Sequence, residues 1–210
     1  LSPTAARIRQ LGEFLFQDCR NTHAANDKPG LVLYLELQTV TYKTNMSLTS
    51  QCRCGRVAFE ALGKPIVSAA CHCADCRAGA GQLAALGCTG PVQNPDGGTP
   101  YIVYRRDRFR CLRGAELLRG HKLRGTSATK RVVASCCNTP MMLSFDDAKW
   151  WVSAYRTRFE GELPPLRMHV CAGAGPGGGR FGDGLPVYPG FAFTFVARLL
   201  TARLAMLLGL

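Results

Sequence analysis

Between residues 47 and about 160, apolar positions fall in short runs of four or five separated by turn-forming residues. Little of the i, i+3, i+4 recurrence of an amphipathic helix is visible there. Residues 57–60, 66–70, 101–104, 109–112, 117–118, 131–135, 141–145 and 150–153 carry the β-branched and aromatic content of strands. The run at 91–100, which holds Gly97-Gly98, is a loop. Residues 74–80 are expected to make a single helical turn, stopped by Gly79 and Gly81. This grammar predicts an all-β domain over residues 46–160.

The flanks differ. Residues 1–45 show no clear repeat, although 31–37 has the composition of a strand. The expectation is that Met46 is the true start and that 1–45 is a non-native leader or a disordered extension. Residues 161–190 read as a Pro/Gly-rich linker, with seven glycines among the thirteen residues 172–184. Residues 191–210 are apolar apart from Arg198 and Arg203 and predict a C-terminal helix. Central arginines each cost about 2.5–3.5 kcal/mol in a bilayer. Docking on the domain or a partner is therefore expected ahead of interfacial membrane association, and that ahead of a true span.

Charge sharpens the picture in one place. The chain carries +12 overall, and within residues 105–131 ten Lys or Arg face only Asp107 and Glu116, a local +8. Such a face suits phosphates or a small carboxylate-bearing substrate; the alternative is a solvated surface. Apart from Phe109 the run holds no Phe, Tyr or Trp, so it lacks the aromatic interleaving that stacks unpaired bases and nucleic acid is the weaker partner expectation.

The chemistry lies in the cysteines. Cys52 and Cys54 form one tight pair, Cys71, Cys73 and Cys76 a second cluster, and Cys136 and Cys137 a late pair. Sulfurs one or two residues apart grip one ion with little further loop-closure cost. The competing reading, a disulfide framework, needs an oxidising compartment. No basic, apolar and cleavage segments occur in secretory order, so a reducing cytoplasm and metal binding are expected. Cys19, Cys88, Cys111 and Cys171 stand alone and read as small apolar residues. His72, between two ligand cysteines, is expected to point away from the metal. His121 and His169 receive no role. Asp75 reads as a partner of the knuckle backbone or of Arg77.

The order Cys52-x-Cys54-Gly55-x-Val57, then Cys71-His72-Cys73-x-Asp75-Cys76-Arg77, then Cys137-x-Thr139-Pro140 resembles the glutathione-dependent formaldehyde-activating enzyme and centromere-protein-V-like family over about residues 47–153. The resemblance implies a β-tent fold of small antiparallel sheets meeting at two Zn²⁺ ions per chain. One zinc would be structural, on Cys52, Cys54 and Cys137. Its fourth ligand is expected to be Cys136, because the family's earlier late cysteine falls on Ala134 here. The other would be catalytic, on Cys71, Cys73 and Cys76, with one position open. The implied activity is carbon–sulfur lyase chemistry on glutathione or another thiol adduct, with Arg77 or a cation from 105–131 offsetting the thiolate charge. The family also admits a non-catalytic zinc module that binds nucleic acid or protein through a basic face.

Overall fold

The computed structural model describes residues 47–147, 149–173 and 181–210; the segment 1–45, with its expected leader and strand, lies outside them. Among the described residues ten strands form two sheets. β1 (Ser47–Gln51), β2 (Ala58–Leu62) and β5 (Phe109–Arg113) make an antiparallel sheet in the order β1-β2-β5. The larger sheet has the order β10-β3-β4-β9-β8-β7-β6. Its members are β3 (Val67–Cys71), β4 (Thr99–Arg105), β6 (Leu118–His121), β7 (Thr129–Ala134), β8 (Thr139–Phe145), β9 (Trp151–Tyr155) and β10 (His169–Val170). Every pairing in it is antiparallel except β10 with β3. The fold is all-β, as the short apolar runs between turn signals indicate.

Strands β3, β4 and β8 are buried nearly throughout, so both of their faces meet side chains rather than water. Ile102, Tyr104, Val132, Met142 and Ala154 face the three-stranded sheet, where they pack on Val57, Phe59 and Ala61. From the same strands Tyr101, Val103, Val133, Leu143 and Tyr155 project the other way, towards the two helices. This split follows the two-residue period of a strand, and it gives the molecule two apolar cores on either side of one sheet.

Helix α1 (Ala74–Ala85) is longer than the single turn expected. Gly79 does not stop it. Its missing side chain makes room for the Arg131 guanidinium, because a Cβ there would lie 1.7 Å from Arg131 Nε. Helix α2 (Phe193–Leu207) docks on the domain through buried Phe195 and Leu199. Trp150 Nε1 donates to Leu199 O at 3.2 Å and the Arg203 guanidinium lies over the Trp150 ring. Among the described residues no helix is long and apolar enough to cross a membrane.

Part of the expected linker belongs to the large sheet. Residues 169–170 add β10 as a parallel edge strand, with His169 opposite Ala70 and Val170 opposite Cys71. A two-residue parallel strand is invisible to any alternation test, since its identity rests on a partner almost a hundred residues away.

Candidate metal centres

The first cluster is built on a knuckle. Cys52 directly follows β1, and its N–H donates to Val57 O at 3.0 Å while Gly55 N–H returns to Cys52 O at 2.9 Å. Gly55 has φ of 73°, a left-handed conformation that costs glycine nothing. Val57 N–H then points at Cys52 Sγ, 3.2 Å away, so a backbone donor stabilises that sulfur. The late pair arrives on the hairpin between β7 and β8. Asn138, also left-handed at φ 56°, donates through Nδ2 to Leu86 O and Gly87 O at 2.8 and 3.0 Å, fixing the hairpin tip to the end of α1.

Four sulfurs converge there. Cys52 Sγ lies 3.6 Å from Cys54 Sγ and 3.7 Å from Cys136 Sγ, Cys54 and Cys136 are 3.4 Å apart, and Cys136 and Cys137 are 3.9 Å apart. A disulfide needs about 2.05 Å. Tetrahedral zinc with Zn–S bonds of about 2.3 Å sets its sulfurs about 3.8 Å apart. The donor set therefore fits zinc, and adjacency does not prevent Cys136 and Cys137 from reaching the same point. Thiol chemistry agrees. Arg56, first through its backbone N–H and then through its guanidinium, draws the Cys54 thiol down to about 6. Burial, followed by the bonds to Cys54 and Cys52, pushes Cys136 up to about 12. For Cys137, burial acts upwards but the Thr139 hydroxyl and the Cys54 N–H prevail, leaving its thiol below the usual range.

The second cluster joins a strand end to a helix start. Cys71 closes β3, and Cys73 is the N-cap of α1, its Sγ accepting from Cys76 N–H at 3.3 Å. Strand alternation puts Cys71 and Cys73 on one side and turns His72 to the other. The three sulfurs lie within 4.8 Å of one another. Bonds from Cys71 and Cys76, with the helix-start N–H groups, hold the Cys73 thiol down to about 2. Cys71 is pushed far up, first because it donates to Cys73. On Cys76 the bond with Cys71 acts downwards, but the bond to Cys73, burial and the Cys73 charge together raise it to about 12. One proton leaves easily and the next two do not, which is how three crowded sulfurs behave until a cation neutralises them.

Cys171, isolated in the sequence and expected to be a small apolar residue, stands beside this cluster. It follows Val170, which pairs with Cys71, and has a left-handed φ of 55°; burial and then the Cys73 charge raise its thiol, against a smaller downward pull from Cys71. Nothing in its isolated sequence position signals this. Cys88 and Cys111 are half-buried and lie outside both sulfur clusters. Asp75 pairs with Arg124 at 3.6 Å rather than with Arg77, whose Nη1 donates to His72 O at 2.6 Å.

The three-sulfur cluster opens into a cavity of about 630 Å³ enclosed by the large sheet, the 123–129 loop and α2. Phe145, Trp151, Phe195 and Leu199 supply apolar walls, and Arg124, Arg131 and Lys149 supply cations. Tyr101, buried, sets its hydroxyl 3.7 Å from Cys76 Sγ. Burial raises that hydroxyl well above the usual tyrosine range, so it remains a donor. Arg131 belongs to the 105–131 run from which a cation near the thiolates is expected. Which residue of the run reaches the cavity, and that the C-terminal helix walls it, emerges only through tertiary packing.

The profile of the family described as glutathione-dependent formaldehyde-activating enzyme matches residues 47–157. A solved structure titled as a Rhodobacter sphaeroides protein is 20% identical, covering 55% of this chain and 91% of its own, with a TM-score of 0.39. Among curated proteins no match is found.

Proposed function

We propose that this chain, which belongs to the glutathione-dependent formaldehyde-activating enzyme family, is a zinc-dependent carbon–sulfur lyase acting on glutathione or another small acidic thiol. The observation that carries the reading is the three-sulfur cluster of Cys71, Cys73 and Cys76 opening onto a cavity with cationic walls. Cys52, Cys54, Cys136 and Cys137 would hold a second, structural zinc, and both sites require a reducing compartment such as the cytoplasm.

Bound by three cysteines, zinc would supply Lewis acidity and lower the pKa of a thiol at its open position. The chain does the rest. Arg124 and Lys149 bind and orient the substrate's carboxylates, and Phe145, Trp151 and Phe195 exclude water. Tyr101, kept protonated by burial, donates to the carbonyl oxygen as charge develops on it. In the simplest reaction a carbon–sulfur bond forms as the carbonyl π bond breaks, and the thiol proton ends on the carbonyl oxygen.

Titrating glutathione into the cobalt-substituted chain should perturb the thiolate absorption, and the chain should accelerate adduct formation from glutathione and formaldehyde. Arg124→Ala and Lys149→Ala should raise KM several-fold with little change in kcat. No spectral response and no acceleration would refute the proposal.

Cys171 stands next to the cluster, outside the three sulfurs that lie within 4.8 Å of one another; in a second reading it closes on the bound ion as a fourth thiolate and the chain is a zinc module without catalysis. Cys171→Ser would then remove a thiolate from the cobalt spectrum; in the catalytic reading it leaves the resting spectrum unchanged.

A further inference from the structure

We propose that His72, His169 and Asp96 form a further divalent-metal site, built from nitrogen and oxygen donors, on the side of β3 that faces away from the three-sulfur cluster. It does not depend on the function proposed above.

The alternation that brings Cys71 and Cys73 together turns His72 to the opposite side, where the parallel pairing of β10 with β3 delivers His169. Both rings are withdrawn from solvent, His72 at 3% and His169 at 0% exposure. Their nitrogens, His72 Nε2 and His169 Nδ1, face each other at 2.9 Å. Asp183 determines what His169 presents there. Its Oδ2 lies 2.9 Å from His169 Nε2 and accepts that proton, leaving the lone pair on Nδ1. A carboxylate holding the distal N–H of a histidine is the arrangement that orients metal-ligating imidazoles.

Two neutral rings and Asp183 would already satisfy one another as a hydrogen-bonded chain. Asp96 is the additional group. Its carboxylate comes within 4.8 Å of a nitrogen of each ring. The Gly98 N–H holds Asp96 Oδ1 at 2.7 Å, leaving Oδ2 available. Gly98 itself lies so close to the imidazole that a Cβ there would come within 2.6 Å of the His72 ring, so the loop bearing Asp96 is seated directly on the histidines. Phe181 stacks on His169 at 3.9 Å and 11° and covers the other flank. Nitrogens bound at about 2.05 Å to a tetrahedral ion lie about 3.3 Å apart, a few tenths of an ångström from the present spacing. Two imidazoles and one carboxylate, with positions left over, suit Zn²⁺, Fe²⁺, Co²⁺ or Ni²⁺ rather than Ca²⁺ or Mg²⁺.

Cobalt(II) alone is the probe, titrated into the full-length reduced, metal-free chain with bound metal counted by elemental analysis. Sulfur-bound cobalt shows intense thiolate charge-transfer absorption; nitrogen- and oxygen-bound cobalt does not. One equivalent should bind beyond those that carry thiolate absorption. His169→Gln should abolish it, and Asp96→Asn should weaken it at least tenfold while the thiolate bands persist. Asp96 is exposed, so that variant decides the matter if His169→Gln does not fold. Binding that stops with the thiolate-absorbing equivalents overturns the proposal, as does an extra equivalent held equally tightly by Asp96→Asn.

Discussion

Helix α1 contains two glycines whose replacement by alanine should have opposite effects. Alanine in a helix interior is favoured over glycine by about 0.5–1 kcal/mol, through the backbone entropy glycine loses on folding. At exposed Gly81 a Cβ meets nothing within 4 Å, so Gly81→Ala should stabilise by that amount. At Gly79 the new Cβ would lie 1.7, 2.1 and 2.2 Å from Arg131 Nε, Cζ and Nη2. Arg131 is only 3% exposed, and its Nη2 donates to the Asp75 carbonyl at the start of the same helix. Moving it forfeits a charged hydrogen bond worth about 1.5–3 kcal/mol. Subtracting the helix gain leaves Gly79→Ala destabilised by about 0.5–2.5 kcal/mol. Urea unfolding of both variants, fully metal-loaded, measures the difference. In an Arg131→Met background Gly79→Ala should become neutral or favourable, which isolates the contact as a coupling. Equal stabilisation by the two alanines would refute the reasoning, and with it the view that Arg131 is held in the cavity wall by this helix.

Other outcomes test the remaining supports. Stripping metal with a chelator under reducing conditions should destabilise the fold by several kcal/mol, since structural zinc contributes on the order of 10 kcal/mol to folding; calorimetry with and without added Zn²⁺ reads it. Asn138→Gly keeps the left-handed turn but loses the two bonds to the end of α1, costing about 1 kcal/mol, whereas Asn138→Ala adds backbone strain and should cost about 2 kcal/mol. Asp146 sits between Lys122 and Lys130 at 2.6 and 2.5 Å. Partial burial opposes its ionisation, yet the two lysines hold its carboxyl below the ordinary 3.8. A depressed folded value contributes stability that is complete above 3.8 and lost as pH falls through the lower folded value. Asp146→Asn should therefore lower the stability near neutrality and flatten its loss on acidification, measured by circular dichroism.

The contrast between what the chain announces and what it conceals follows the range of each interaction. Strands of β4, β8 and β9 are legible because pleating and turns act over a few neighbours. The sulfur spacings are legible for the same reason: Cys52 with Cys54, and Cys71 with Cys73 and Cys76, are held by local knuckle and N-cap geometry. Arg131, Cys171 and His169 are not, because each acquires its role only when a distant segment arrives. Gly79 misleads for a related reason. By propensity it ends a helix, yet the tertiary structure uses the missing Cβ as space for a guanidinium. Cys71, His72 and Cys73 show both ranges at once. Alternation along this one stretch sends two sulfurs towards the cavity and an imidazole towards β10, so either neighbouring site constrains the backbone that orients the other. Residues 169–171 close that arrangement: His169 meets His72 on one side, and Cys171 meets Cys71 on the other. A domain boundary drawn at 160 would remove both contacts. A truncation ending there should retain the knuckle of Cys52 and Cys54 while losing the residues that flank the cluster of Cys71, Cys73 and Cys76. Cobalt spectra of such a truncation should show the first thiolate site intact and the second altered; two unaltered sites would show that β10 contributes nothing to the metal-binding face.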